Sequence, residues 1–221
     1  MNNLKPEKHT VLSVSTLHNT LFELTLERRD LHFQAGDCVA LYTDQGKSRP
    51  YSIASGPSES HIRFLIRSIP GGEVSSRLFE LDAGDTIELS PPFGWFRPAQ
   101  EANHAPSVFF ATGTGIAPFL SYLADQPEQR PLSILYGVSH EKDIAGFHLL
   151  NQVDQLQIAV SQEDTMHHRG RITDLLNQVP LDSSIHYYCC GREKMIDEIT
   201  EWLNKKGVEL NQIHREVFFH G

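Results

Sequence analysis

Four short segments carry residue types that could hold charged or aromatic ligands. In Arg49-Pro50-Tyr51-Ser52-Ile53-Ala54-Ser55, a cation, an aromatic ring and a hydroxyl stand together just after the apolar run Cys38 to Tyr42. In an extended chain Arg49 and Tyr51 face one way, and Pro50 has no N–H to give to a sheet ladder. The same segment also reads as plain structure, with Pro50 at an edge, Tyr51 in the core and Arg49 in solvent. In Pro70-Gly71-Gly72-Glu73-Val74-Ser75-Ser76-Arg77-Leu78, two glycines precede two serines and an apolar helical stretch. Glycines let a backbone come close to a phosphate, and the free amides of a helix start attract anions. The alternative is a turn followed by a helix that Ser75 caps.

The third segment, Ala111-Thr112-Gly113-Thr114-Gly115-Ile116-Ala117-Pro118, follows an apolar strand and precedes Phe119, Leu120 and Leu123 at helical spacing. Strand, glycine turn and helix start form the arrangement that cradles a dinucleotide pyrophosphate, and Pro118 suits a first helical turn. It lacks the third glycine of the full fingerprint, so a tight strand-to-helix turn remains the other reading. The fourth, Tyr188-Cys189-Cys190-Gly191, ends an apolar strand. Adjacent strand residues point to opposite faces, so one cysteine at most can face a ligand; otherwise both are small buried hydrophobes.

These segments need elements to position them. Between Val11 and Ser90 the apolar pattern has period two: Phe22, Leu24 and Leu26 share a face, as do Ile62, Phe64 and Ile66, and Ile87 with Leu89. Turn clusters at Asp44 to Gly46, Ser55 to Pro57 and Ile69 to Gly72 divide these strands, which predicts an antiparallel β-barrel or sandwich. Beyond residue 105, apolar runs at Val108 to Thr112, Ile134 to Val138, Leu156 to Ser161 and Ile185 to Cys190 alternate with helical patterns. That alternation predicts an α/β domain with a parallel sheet. Ile196, Ile199 and Leu203 mark its last helix, which Gly207 closes. The polar stretch Pro98 to Pro106 reads as the linker, giving an expected first domain at 1–99 and a second at 104–221.

Composition narrows the function classes. A formal charge of −9 disfavours a surface that tracks nucleic-acid phosphates. No apolar stretch has the length of a membrane span or a signal peptide, so a soluble cytoplasmic protein is expected. The three cysteines, Cys38, Cys189 and Cys190, build neither a disulfide framework nor an iron–sulfur site, so any redox centre is expected to be organic. The 12 histidines show no H-E-x-x-H or other closed ligand spacing, and no metal site is expected.

Taken in order, Arg49-Pro50-Tyr51-Ser52, Gly72 to Ser75, Gly113 to Pro118, and Cys190-Gly191 with Met195 resemble the motifs of the ferredoxin–NADP reductase superfamily across nearly the whole chain. The resemblance implies an FAD-binding barrel, with FMN as an alternative flavin, and an NAD(P)-binding α/β domain. It implies that Arg49 and Pro50 lie at the flavin with Arg49 on its phosphates, that Tyr51 stacks on the isoalloxazine, and that Ser52 bonds near N5. Gly72, Val74, Ser75 and Ser76 would hold the pyrophosphate. Gly113, Thr114, Gly115 and Ile116 would hold the nicotinamide dinucleotide, with Cys190 and Gly191 beside the nicotinamide.

Arg215-Glu216-Val217-Phe218 is similar to the family's closing segment, implying a catalytic Glu216 with Phe218 at the flavin; the other reading is an edge strand with a solvated glutamate. NADPH-dependent members resemble this chain except for two arginines, whose positions here read Ser139 and Gln162; NADH is therefore favoured unless Arg169 or Arg171 substitutes.

The implied activity is hydride transfer from NAD(P)H to bound FAD, then electron transfer to ferredoxin, flavodoxin or an oxygenase component, with no iron–sulfur domain fused. An acidic partner would call for a basic patch drawn from Arg28, Arg29, Arg67 or Arg77. The alternatives are a flavin reductase acting on free flavin and a non-enzymatic flavin-bearing subunit.

Overall fold

The fold is that of a computed structural model, which describes residues 5–97 and 105–217. The expected domain boundary between 99 and 104, most of the linker, and Phe218 lie outside those residues.

The first half contains β1 (Glu7–His18), β2 (Leu21–Glu27), β3 (Cys38–Tyr42), β4 (Ser48–Ser52), β5 (His61–Arg67), the short helix α1 (Ser75–Phe79) and β6 (Thr86–Leu89). The six strands form one antiparallel sheet in the order β4-β3-β6-β1-β2-β5. The sheet curls: the chain leaving β4 bonds the far edge, Ala54 N–H to Arg63 C=O at 2.8 Å. Phe22, Leu24, Leu26, Ile62, Phe64, Ile66, Ile87 and Leu89 all turn into its core, as the period-two pattern requires. Pro50 sits opposite Ala40, whose N–H and C=O both bond Ser90, at 2.9 and 3.0 Å, so no ladder bond is forfeited there.

The second half runs β7 (Ser107–Thr112), α2 (Ala117–Asp125), β8 (Ser133–Val138), α3 (Phe147–Leu150), β9 (Leu156–Val160), β10 (His168–Arg169), β11 (His186–Gly191), α4 (Glu193–Lys205) and β12 (Ile213–Val217). All six strands are parallel, in the order β10-β9-β8-β7-β11-β12. Helix α4 buries Ile196, Ile199 and Leu203 on one face and ends at Gly207, whose φ of +85° is the left-handed closure expected of it.

The two domains share an apolar core. Leu21 and Leu65 lie on the outer face of the barrel, opposite Phe22 and Phe64, yet both are buried. They belong, with Ala35, Ala54 and Phe96, to the cluster built around Phe109, Phe119 and Tyr188 of the second domain. The Phe96 ring stands edge-on to Phe119 and Tyr188, with centroids 5.5 and 5.6 Å away. Ser121 on α2 donates to Ser55 C=O at 2.7 Å inside this seam. Among the described residues no helix is long and apolar enough to cross a membrane.

Phe96→Ala should therefore weaken the whole molecule rather than one domain, by about 3–5 kcal/mol, the cost of deleting a buried aromatic ring. Urea unfolding followed by tryptophan fluorescence measures it. A loss under about 1 kcal/mol would mean that the seam is not part of the cooperative core.

Candidate functional site

Three strand ends from the two sheets meet at one carboxylate. Glu216, on edge strand β12, points back between the domains, and three donors converge on it. Ser52 Oγ, at the end of β4, donates to Oε2 at 3.3 Å. Cys190 Sγ, on β11, donates to the same oxygen at 3.5 Å, and Cys38 Sγ, at the start of β3, donates to Oε1 at 3.6 Å. Cys38 and Ser52 are cross-strand partners, 3.8 Å apart at Sγ and Oγ. Glu216 is thus no solvated edge glutamate. Burial pushes its carboxyl above the usual value of 4.5, against the pull of the hydrogen bonds from Cys190, Cys38 and Ser52.

The thiols move the same way. Burial, reinforced by the Glu216 charge, pushes Cys38 up to about 12 and Cys190 well above its ordinary 9.0. Both shifts favour the protonated thiol, the form that donates to Glu216. Cys189 faces the opposite side of the sheet, in the core beneath α4, as the alternation of strand residues requires.

The glycine turn after β7 lies against this cluster. Gly113–Ile116 forms a 3-10 turn leading into α2, with Pro118 in that helix's first turn. A Cβ on Gly115 would stand 2.4 Å from Cys190 O and 2.7 Å from Gly191 Cα, so only glycine lets the turn lie against β11. Gly113 is left-handed, with φ of +54° and no atom within 4 Å of a hypothetical Cβ, so space opens on its outer side. Tyr136 OH donates to Gly113 C=O at 3.2 Å and holds the turn from below.

On the barrel, Arg49 and Tyr51 share a face of β4. Arg49 forms no ion pair among the described residues and donates only to Ser48 C=O, at 2.9 Å. The half-buried Tyr51 hydroxyl is pushed up to about 12 by desolvation, partly offset by Arg49. An uncommitted guanidinium beside an aromatic ring, next to the buried Ser52 hydroxyl, fits a planar ligand that carries phosphate.

The loop before α1 corrects one expectation. Ser75 does not cap the helix: Val74 occupies that position, without a side-chain cap bond, and Ser75 is the first helical residue. Its Oγ instead accepts Ile69 N–H at 3.0 Å, while Ser76 Oγ donates to Ile69 C=O at 2.9 Å. With both hydroxyls tying the loop shut, the groups left toward a phosphate are first-turn backbone amides.

The four arginines considered for a basic patch do not assemble. Arg67 pairs with Asp143, Arg77 with Asp44 and Glu80, and Arg28 and Arg29 donate to backbone carbonyls. At the other end of the parallel sheet, Ser161 Oγ donates to Val138 C=O at 3.2 Å and Gln162 N–H to Ser139 C=O at 3.0 Å. Arg169 lies one strand over, opposite Val160, and pairs with Asp164 at 2.8 Å.

Cys38 is the site residue that sequence reasoning passed over. Its pairing opposite Ser52 is the signal, but that register is visible only once β3 and β4 are set side by side.

The family model for the oxidoreductase FAD-binding domain matches residues 4–97, and that for the oxidoreductase NAD-binding domain matches residues 109–201. The toluate 1,2-dioxygenase electron transfer component of Pseudomonas putida is 28% identical over 226 residues, covering 94% of this chain; the chain spans only 64% of that protein's length. The ferredoxin–NADP reductase of Azotobacter vinelandii is 28% identical over 243 residues, covering 96% of this chain and 93% of its own. A crystal structure of a ferredoxin NADP+ reductase from Neisseria gonorrhoeae, with bound FAD and NADP, superposes with a TM-score of 0.88 at 23% identity, covering 98% of this chain and all of that one. The chain belongs to the ferredoxin–NADP reductase superfamily, oxidoreductases built from an FAD-binding and an NAD-binding domain.

Proposed function

We propose that the chain takes hydride from a nicotinamide dinucleotide onto bound FAD and passes the electrons to a separate ferredoxin or oxygenase component. The observation that carries this reading is one partly buried carboxylate, Glu216, bonded by Ser52 of the barrel and Cys190 of the parallel sheet. Two redox ligands held one by each domain would meet at that point. Bound FAD would supply the exchange between two-electron chemistry with the nicotinamide and one-electron chemistry with the acceptor.

The side chains position and shield. Arg49 offers its charge to the flavin phosphates and Tyr51 its ring face to the isoalloxazine. Pro50 keeps the edge strand straight between them, and Gly72, Val74, Ser75 and Ser76 bring backbone amides to the pyrophosphate. Gly113, Thr114, Gly115 and Ile116 cradle the nicotinamide dinucleotide, with Cys190 and Gly191 as the floor of its reactive end. Ser52 Oγ and Glu216 Oε2, 3.3 Å apart, would give a proton a path between a bound flavin and the acid.

NADH is the favoured donor. Gln162 and Ser139 offer no positive charge for a 2′-phosphate, and each missing charged hydrogen bond costs about 1.5–3 kcal/mol. Arg169, the residue nearest in the sheet to that position, is paired with Asp164.

The direct test is anaerobic stopped-flow absorbance of the FAD-loaded protein. Mixing with NADH should bleach the flavin within the turnover time, and NADPH should do so at least tenfold more slowly, the smallest discrimination expected for one lost charged hydrogen bond of about 1.5 kcal/mol. A yellow protein that neither nucleotide bleaches would instead be a non-enzymatic flavin carrier.

Tyr51→Ala should raise the FAD dissociation constant about tenfold, the stacking energy of an aromatic pair being about 0.5–1.5 kcal/mol beyond its buried area. Fluorescence titration of apoprotein reads this directly, and an unchanged constant would remove Tyr51 from the flavin.

Glu216 supplies a pH signature. Its carboxyl is raised above 4.5 by burial, so the proton-accepting carboxylate form is full above that raised value and is lost as pH falls through it. Turnover from NADH to ferricyanide should decline over that limb in the wild type, and Glu216→Gln should flatten it. Identical profiles would exclude Glu216 from the proton path.

A further inference from the structure

Away from this cluster, a buried carboxylate faces two imidazoles. Asp143 ends the 3-10 turn Glu141–Asp143 of the second domain and is almost fully buried. His18, the last residue of β1 in the barrel, brings Nδ1 to 2.9 Å from Asp143 Oδ1. His140 brings its own Nδ1 to 3.6 Å from Oδ2, and its backbone N–H donates to Oδ2 at 3.3 Å. The two rings meet edge to face, with centroids 5.2 Å apart, and the three candidate ligand atoms lie within 4.8 Å of one another.

We propose that His18, His140 and Asp143 bind one transition-metal ion of the Zn2+ class, which staples the barrel to the nucleotide domain.

The spacing is the first argument. An ion with tetrahedral bonds of about 2.0–2.1 Å sets its ligand atoms roughly 3.3 Å apart. His18 Nδ1 lies 2.9 Å from Oδ1, His140 Nδ1 lies 3.6 Å from Oδ2, and the three candidate ligand atoms all lie within 4.8 Å of one another, so side-chain shifts of about an ångström bring them to that edge. Ligand chemistry is the second. Two imidazoles and one carboxylate suit Zn2+ and its borderline neighbours, whereas Mg2+ and Ca2+ take oxygen donors. Three protein ligands leave a fourth position for water.

The surroundings supply an outer shell. Arg67 Nη2 lies 3.3 Å from Oδ1 and supports the carboxylate from outside, as partners of metal-ligating carboxylates do. Its charge also opposes a cation, so the site is weaker than one without an arginine. At 39% side-chain exposure, that charge is screened by solvent. With no metal bound, His18 Nδ1–H donates a hydrogen bond to Oδ1; on binding, the neutral ring carries its hydrogen on Nε2 instead, and the ion takes the place of the hydrogen at Nδ1. Tyr136 OH reaches both Asp143 C=O, at 3.3 Å, and Gly113 C=O, at 3.2 Å. The site is therefore one hydrogen-bonded step from the glycine turn.

The test uses the FAD-loaded full chain, stripped with a chelator, dialysed and titrated with Zn2+ by calorimetry, with bound metal counted by mass spectrometry. One Zn2+ per chain is expected, together with a rise in Tm. His140→Ala and His18→Asn, the latter retaining a donor toward Asp143, should each weaken binding at least tenfold and abolish the Tm rise. His186→Ala is the control for adventitious histidine binding, since His186 and His214 form a separate pair with ring nitrogens 2.8 Å apart; it should bind as the wild type does. No stoichiometric uptake, or uptake that survives both His18→Asn and His140→Ala, would overturn the proposal and leave the cluster as an interdomain ion pair.

Discussion

A carboxylate partly buried between two domains needs hydrogen-bond donors from both, and Glu216 has them. Its oxygens receive a hydroxyl from β4 and thiols from β3 and β11. A one-residue slip in any of these strands would turn the donor to the opposite face and leave the acid unsatisfied, so the contact fixes register across the domain boundary. The Phe96 and Leu21 seam supplies apolar burial between the two domains, and Cys190, one of the donors to Glu216, belongs to that same cluster. Packing between the domains and chemistry at the strand ends are therefore one constraint.

That constraint explains which parts were legible in the sequence. Phe22, Leu24, Leu26 and their counterparts announce a barrel because each strand alone carries its face pattern, and the run-and-helix alternation after residue 105 announces the parallel sheet in the same local way. The glycine turn before α2 was readable for the same reason. Leu21 and Leu65 were not: by period two they face solvent, and only the second domain buries them. Cys38 was missed because its role depends on lying opposite Ser52 in the sheet. Ser75 looked like a helix cap, since the sequence shows a serine before an apolar helix but not that Ile69 N–H competes for its oxygen.

His18 and Asp143 mark the furthest reach of this limit. They stand 125 positions apart, and although His140 lies three residues before Asp143, nothing local marks His18 as their partner. Histidine counts and spacings detect sites built on one helix or one loop. A cluster assembled from a strand end of one domain and a turn of the other leaves no such trace, although it needs fewer residues than a local motif.

The identity of the donors to Glu216 has its own consequence. A carboxylate that accepts several strong N–H bonds is held ionised far below neutrality, whereas thiols are weak donors. With two of its three side-chain donors being cysteines, Glu216 remains dominated by desolvation, which raises its pKa above the usual 4.5. The thiols are kept protonated by the same burial and by the charge of the acid they face, so they donate without competing for the proton. Serine at position 38 would be a stronger donor to Oε1 and would pull the acid down toward a permanently ionised state. A cysteine pair around a partly buried glutamate is thus a way to satisfy its oxygens without pulling its pKa down as stronger donors would.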